Sequence, residues 1–323
     1  MNECQELIEL SKLNHQKDIK RGTKRYLENS SLLKAIVSEV QEVKEEIRSN
    51  NTPKLEDELC DILWGWMMLV ENLKDLGLVS SHERILKRAL NKYQERILPL
   101  IGEEIQDELI WQEVKNKQQE ALKREQELLE FQREVRTFYE PFYKDGDLAH
   151  QIDHADSVCN LALEMNKECD PKLIILASYI HDIFNAADRK NHNQLAYNYI
   201  LEANDKFLKE LSKEELLQVA HAVLEHRASF QGEFYSKLSE IISSADRGAP
   251  DIKEVVIRSM QFNGCNVKDA YHHIKRKYGS NGYANYPKSY QKHFSKELAE
   301  FQKRVDNITI ADIETIWHES QNS

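Results

Sequence analysis

The stretch from Ile174 to Ile183 constrains this chain more than any other. Five of the six residues from Ile175 to Ile180 are apolar or aromatic, which predicts a helix buried over most of its surface. The run then ends in His181 and Asp182. An imidazole and a carboxylate at the end of a buried helix need compensation, because burying polar groups without partners costs free energy. A divalent first-row metal supplies it, since imidazole nitrogen and carboxylate oxygen both ligate such ions. Two adjacent residues cannot close a coordination sphere, so further ligands have to come from other segments. For each residue taken singly, a buried histidine satisfied by ordinary hydrogen bonds is the competing reading.

The flanking segments offer such ligands. Upstream, His150 and His154 stand at i,i+4 on one predicted helical face, followed by the apolar positions Ala155, Val158, Leu161, Ala162 and Met165. Downstream, an apolar run beginning at Ile241 ends in Asp246. In order, His154, His181 with Asp182, and Asp246 resemble the pattern of the HD-domain metal-dependent phosphohydrolases. The resemblance spans roughly Phe138 to Asp251, one domain's length. It implies that these four residues ligate a metal, that His181 and Asp182 are catalytic, and that His150 and Arg247 lie on the substrate side. Some HD proteins hold a second metal on additional histidines, for which His192 and His226 are the candidates; Asp188, His221 and Arg227 are further polar residues of the segment. The mixed nitrogen and oxygen set suits Mn²⁺, Co²⁺, Ni²⁺ or Fe²⁺ better than Mg²⁺.

Only ten glycines and six prolines interrupt 323 residues, and apolar positions recur with the helical rather than the alternating period, so the chain reads as all-α. Its length predicts about two domains. A formal net charge of −11 argues against nucleic-acid binding, which depends on clustered Lys and Arg. Five scattered cysteines without a CxxC pair point to reduced thiols and a cytoplasmic location. No signal peptide is recognisable at the N-terminus, and the most apolar run, Ile62 to Val70, is too short to span a membrane.

Two amphipathic helices are predicted near the start, from about Ser31 to Arg48 and from about Leu55 to Leu73. Leu33, Ile36, Val37, Val40, Val43 and Ile47 form the apolar stripe of the first; Leu59, Ile62, Leu63, Trp66, Leu69 and Val70 form that of the second. The short connection makes them antiparallel neighbours. Glu39 and Glu42 flank one stripe, and Glu58 and Asp61 the other. Four converging carboxylates repel one another unless cations occupy them, and hard oxygen ligands select Mg²⁺ or Mn²⁺. This ExxE…ExxD spacing resembles the MazG-like nucleoside triphosphate pyrophosphohydrolases over roughly Tyr26 to Ile97, a small domain's length. The resemblance implies that the four acids bind Mg²⁺, which grips the triphosphate and activates water, and that Lys92 and Arg96 on a following basic helix contact phosphates. Ser38 stands where many members carry a further Glu, so the number of ions stays open.

The predicted organisation is a MazG-like domain over residues 1–102, a charged helical linker over 103–136, an HD domain over 137–255, and a C-terminal extension over 256–323. Within the HD segment, Asp170 and Pro171 read as a helix start, and Ser212 with Glu215 as a capping box. The extension is basic and aromatic from His272 to Lys296, a composition that either holds a nucleotide or forms a surface lobe packed on the HD core. Taken together, the two resemblances imply a bifunctional nucleotide hydrolase: Mg²⁺-dependent cleavage of a (d)NTP to (d)NMP and pyrophosphate, and metal-dependent phosphomonoester hydrolysis. The alternatives are an HD site acting on (d)NTPs or on guanosine tetraphosphate-type alarmones, and a nucleotide sensor without turnover. A homodimer or higher homo-oligomer through the N-terminal domain is expected, because Trp64, Trp66, Met67 and Met68 crowd apolar surface onto one helix.

Overall fold

The computed structural model describes residues 3–321 apart from residues 23, 145–150, 204, 281 and 285. Among the described residues it contains helices and no strand, as the scarcity of Gly and Pro requires. The chain divides into two compact units, Met1–Leu122 and Lys123–Ser323. No described helix is long and apolar enough to cross a membrane. All five cysteines are free.

The first unit holds α1 (Glu3–Arg21), α2 (Lys24–Leu27), α3 (Asn29–Glu46), α4 (Thr52–Asp75), α5 (His82–Ile97) and the start of α6 (Glu104–Tyr139). The predicted stop at residues 50–53 is a turn through Asn50, at φ 62°, after which Thr52 and Pro53 already open α4. α3 packs along α4 at close range: a Cβ placed on Gly65 would come within 2.8 Å of Ile36 Cγ1. The predicted stripe of α3 divides in two. Ile36 and Val43 are half-buried, whereas Leu33, Val37, Val40 and Ile47 are exposed. Met67 and Met68, expected to need a partner chain, are covered within the unit instead. Asn14 of α1 donates to Met68 Sδ at 3.6 Å, and His82 at the start of α5 lies 3.0 Å from the Met67 carbonyl.

The second unit holds the rest of α6, then α7 (Ile152–Met165), α8 (Pro171–Ile180), α9 (His192–Glu202), α10 (Lys213–Leu224) and α11 (Lys237–Ala245) around one core. α8 is its centre, with every residue from Leu173 to Ile180 buried. Asp170 caps it through the Lys172 N–H, with Pro171 in the first turn, and Ser212 and Glu215 form the capping box of α10. α6 runs past Arg136 because Tyr139 is fully buried and donates to Asp205 at 2.6 Å. A second core joins α12 (Ile252–Phe262), α13 (Val267–Tyr278), α14 (Lys288–His293), α15 (Ser295–Asn307) and α16 (Ile310–Gln321) into a C-terminal lobe. The lobe is tied to α11 by Lys237, which donates to Ser289 Oγ at 2.7 Å, and by the Ser289 N–H, which donates to Glu240 at 2.6 Å.

Candidate active sites

In the second unit the ends of five helices meet at one polar cluster. His181 is the C-cap of α8 and Asp182 follows it; Asp246 is the C-cap of α11. His154 stands in the first turn of α7, opening that helix rather than closing one. His192 opens α9, and His226 follows α10 by two residues. The C-terminal ends of α8, α10 and α11 carry partial negative charge, which favours a cation. His150 lies outside the described residues, as does the predicted loop Asp145 to Asp147.

Asp182 divides the cluster into two ligand sets. Its Oδ2 is 3.5 Å from His181 Nε2 and 4.0 Å from His154 Nε2. Asp246 Oδ1 completes this set, 3.1 Å from His154 Nε2 and 3.6 Å from His181 Nε2. On the other side, Asp182 Oδ1 is 3.1 Å from His192 Nε2 and 3.7 Å from His226 Nε2, and those two nitrogens are 3.2 Å apart. Donors held about 2.1 Å from one ion lie roughly 3–4.2 Å from one another, and all of these separations fall in that span. His154, His181 and Asp182, and separately Asp182, His192 and His226, are therefore close enough to share one divalent ion each, with Asp182 common to both trios and Asp246 adjoining the first.

The ring orientations point the same way. His181 Nδ1 is 2.7 Å from the Ser178 carbonyl, His192 Nδ1 2.9 Å from that of Arg189, and His226 Nδ1 2.6 Å from that of Val223. A carbonyl only accepts, so each Nδ1 carries a hydrogen, and Nε2 is the atom left facing the centre, a ligand once the ring is neutral. Such outer hydrogen bonds fix the tautomer of metal-ligating histidines. Ser243 also holds the turn at His226, donating to its carbonyl at 2.9 Å and accepting from Arg247 at 2.9 Å.

The carboxylates and imidazoles of the cluster shift one another's protonation strongly. Burial opposes charge on His181, but Asp182 and Asp246 outweigh it and raise the imidazole to about 9. Burial likewise opposes charge on Asp182, yet His181, His192 and His226 hold it far below the usual carboxylate range. Asp246 is held down against its own burial by His154 and His181. Burial, assisted by His181 and His192, pushes His226 down to about 4. A divalent ion would displace the proton from His181, because metal ligands bind deprotonated.

A cavity of about 260 Å³ opens onto Asp182, His192 and His226. Arg227 and Arg247 line it, as do Asn185, Arg189 and Arg258, which the sequence reading did not single out. Arg258 comes from the C-terminal lobe, and no local pattern announces such a long-range approach. Asp188 and His221 have structural work instead. Asp188 accepts from the Lys190 and Asn191 N–H groups, and His221 stacks on Tyr235 at 4.0 Å and pairs with Glu225 at 3.1 Å.

In the first unit, carboxylate oxygens of Glu39, Glu58 and Asp61 lie within 4.8 Å of one another where α3 meets α4. Glu42, one turn beyond Glu39 and exposed, stands outside that trio but acts on it as a like charge. Partial burial and then Glu42 and Asp61 raise Glu39; partial burial and then Glu42, Glu39 and Asp61 raise Glu58. This is the mutual repulsion that a cation relieves. Lys92 is exposed on α5. Arg96 is engaged with α6, donating to Gln118 at 2.8 Å and lying 5.2 Å from the Trp111 ring centroid.

Fold and clusters define an all-α protein with two candidate metal sites. Comparison with protein families specifies it: residues 27–98 match the MazG nucleotide pyrophosphohydrolase domain and residues 148–257 match the HD domain. The chain thus carries a MazG domain in its N-terminal part and an HD domain in its C-terminal part. HD domains are metal-dependent, and the pair supports a nucleotide pyrophosphohydrolase and phosphohydrolase role. No curated protein and no solved structure matches the chain.

Proposed function

We propose that this chain is a bifunctional nucleotide hydrolase, its MazG domain cleaving a (d)NTP to (d)NMP and pyrophosphate and its HD domain hydrolysing a phosphomonoester. The observation that carries the reading is the presence of two separate ligand constellations, one all-carboxylate and one of imidazole and carboxylate, in two different units. Divalent ions, Mg²⁺ at the first site and Mn²⁺, Fe²⁺, Co²⁺ or Ni²⁺ at the second, would polarise phosphoryl oxygens and make water acidic enough to attack near neutral pH.

At the MazG site, Glu39, Glu58 and Asp61 would hold the cation, with Glu42 as the fourth acid, and Lys92 of α5 is assigned to phosphate. Arg96 serves as a second phosphate contact once its bond to Gln118 is exchanged. At the HD site, His154, His181, Asp182 and Asp246 would hold one ion, and His192 and His226 together with Asp182 would hold a second. Arg247, which lines the cavity beside Asp246, orients the phosphate, and His150 is assigned to the same side.

Phosphate and pyrophosphate release from a panel of (d)NTPs and (d)NMPs, with products separated by chromatography, tests the reading. Glu58→Gln is expected to abolish pyrophosphate release and leave phosphate release from a (d)NMP unchanged, and Asp182→Asn to do the reverse. Loss of both activities from either substitution, in protein with unaltered circular dichroism, contradicts two independent sites.

A further inference from the structure

The HD cavity has a second wall that does not belong to the matched HD domain. The domain match ends at residue 257. Yet Lys277 and Tyr278 at the end of α13, Tyr286 on the following loop, Tyr290 of α14 and Phe301 of α15 all line the cavity that opens onto Asp182. The lobe that carries them is fixed to α11 by the Lys237, Ser289 and Glu240 bonds, so this wall and the metal ligands share one framework.

Its chemistry is specific. Tyr286 and Tyr290 have ring centroids 5.5 Å apart at 32°, and Tyr278 meets Phe301 edge-on at 6.0 Å. Tyr290 and Phe301 belong to the core of the lobe, whereas Tyr278 and Tyr286 are only half-buried. The Tyr286 hydroxyl is buried with no hydrogen-bond partner among the described residues, a state that buried polar groups rarely keep unless a ligand or water serves them. Apart from the metal-ligand set, five cationic side chains line the cavity, Arg189, Arg227, Arg247, Arg258 and Lys277, against the two carboxylates Asp251 and Glu254. A ligand with an anionic end and a planar ring satisfies both features. At about 260 Å³ the cavity falls just below the ~300–1,000 Å³ usual for small-molecule pockets, so it takes one compact molecule and not a polymer.

We infer that the C-terminal lobe is the ring-reading wall of the HD site, where Tyr278 packs on the base of a nucleoside phosphate and the Tyr286 hydroxyl donates to a base acceptor, while the phosphate faces Asp182 and Arg247. This rests on the reading of the HD domain as a phosphomonoesterase. It adds that the substrate class is set by residues outside that domain.

The test compares phosphate release from a nucleoside monophosphate and from ribose 5-phosphate, which lacks the base. Tyr278→Leu and Tyr286→Phe are each expected to raise KM for the nucleotide about tenfold, the equivalent of one stacking or hydrogen-bond contact. kcat should stay within about twofold and KM for ribose 5-phosphate should not change, as expected of a contact made equally in ground and transition states. Equal changes for both substrates, or none for either, overturn the inference while leaving the hydrolytic reading intact. If the parent chain hydrolyses neither compound, the hydrolytic reading fails instead. The inference is then judged by calorimetric binding of the same monophosphate, with Mn²⁺, to the full chain carrying Glu58→Gln. Weaker binding after Tyr278→Leu supports it, and unchanged binding overturns it.

Discussion

At the scale of single residues, Asp182 carries the most consequence, because each of its oxygens faces a different pair of histidines. Metal content separates the two ligand sets. Protein loaded with Mn²⁺ is expected to hold about two equivalents at the HD site, His154→Ala and His192→Ala each about one, and Asp182→Asn neither, since neutralising the shared carboxylate weakens both. Elemental analysis showing the same content in His192→Ala as in the parent would remove the second ion. The same residues set a pH dependence in chelated protein. His181 is raised to about 9 from 6.5, so its stabilising contribution is complete below pH 6.5 and is lost as pH climbs through 9. His226 is lowered to about 4, so the unfolded chain takes up a proton first and stability falls as pH drops from 6.5 toward 4. For this pair the chelated protein is therefore most stable near pH 6.5, and thermal melts should show the alkaline fall disappearing in His181→Gln. A chelated parent whose melting temperature climbs steadily from pH 6.5 to 9 would contradict the assignment.

At the scale of elements, Gly65 governs how near α3 comes to α4, and so how Glu39 meets Glu58 and Asp61. Alanine there gains roughly 1 kcal/mol of helix propensity but drives a Cβ to 2.8 Å from Ile36 Cγ1, an overpacking that costs about 1–3 kcal/mol. The two nearly offset, so Gly65→Ala is expected to change the melting temperature little while lowering pyrophosphate release about tenfold or more, because the carboxylates move apart. Activity equal to that of the parent would show that the close approach is incidental. Local signals of this kind were legible in the sequence wherever the chemistry is local. Asp170 and Pro171 start α8, Ser212 and Glu215 start α10, and the burial of His181 follows from the apolar run before it. His154, Asp182 and Asp246, which order along the chain is enough to pick out, do lie together in the polar cluster. What escaped depends on distant packing. An α3 stripe of six residues contains two rows, and only the partner helix decides that Ile36 turns inward and Val37 outward. Nor does any local pattern show that Arg258, Lys277 and Tyr286 close a cavity begun by His192.

At the scale of the whole molecule, the first unit leaves unfinished business that the second does not. Among its described residues only Ile8, Leu32, Met67, Met68 and Val70 are buried hydrophobics, whereas Leu33, Val37, Val40 and Ile47 of α3 and Leu59 and Leu63 of α4 are exposed. An apolar row of that length on paired helices normally meets another surface. A second copy of the chain is the occupant proposed here, meeting the exposed row of α3 and α4 and not Met67 and Met68, which α1 and the Met67–His82 contact already cover. Light scattering at micromolar concentration is expected to give a dimer, and Val37→Asn combined with Val40→Asn a monomer. Because Glu39 and Glu42 share α3 with that row, the monomer should also lose most of its pyrophosphate release. Phosphate release by the HD domain, which has its own buried core around α8, should persist. A parent chain that scatters as a monomer would sink the proposal. A paired variant that stays dimeric would place the contact elsewhere on the unit.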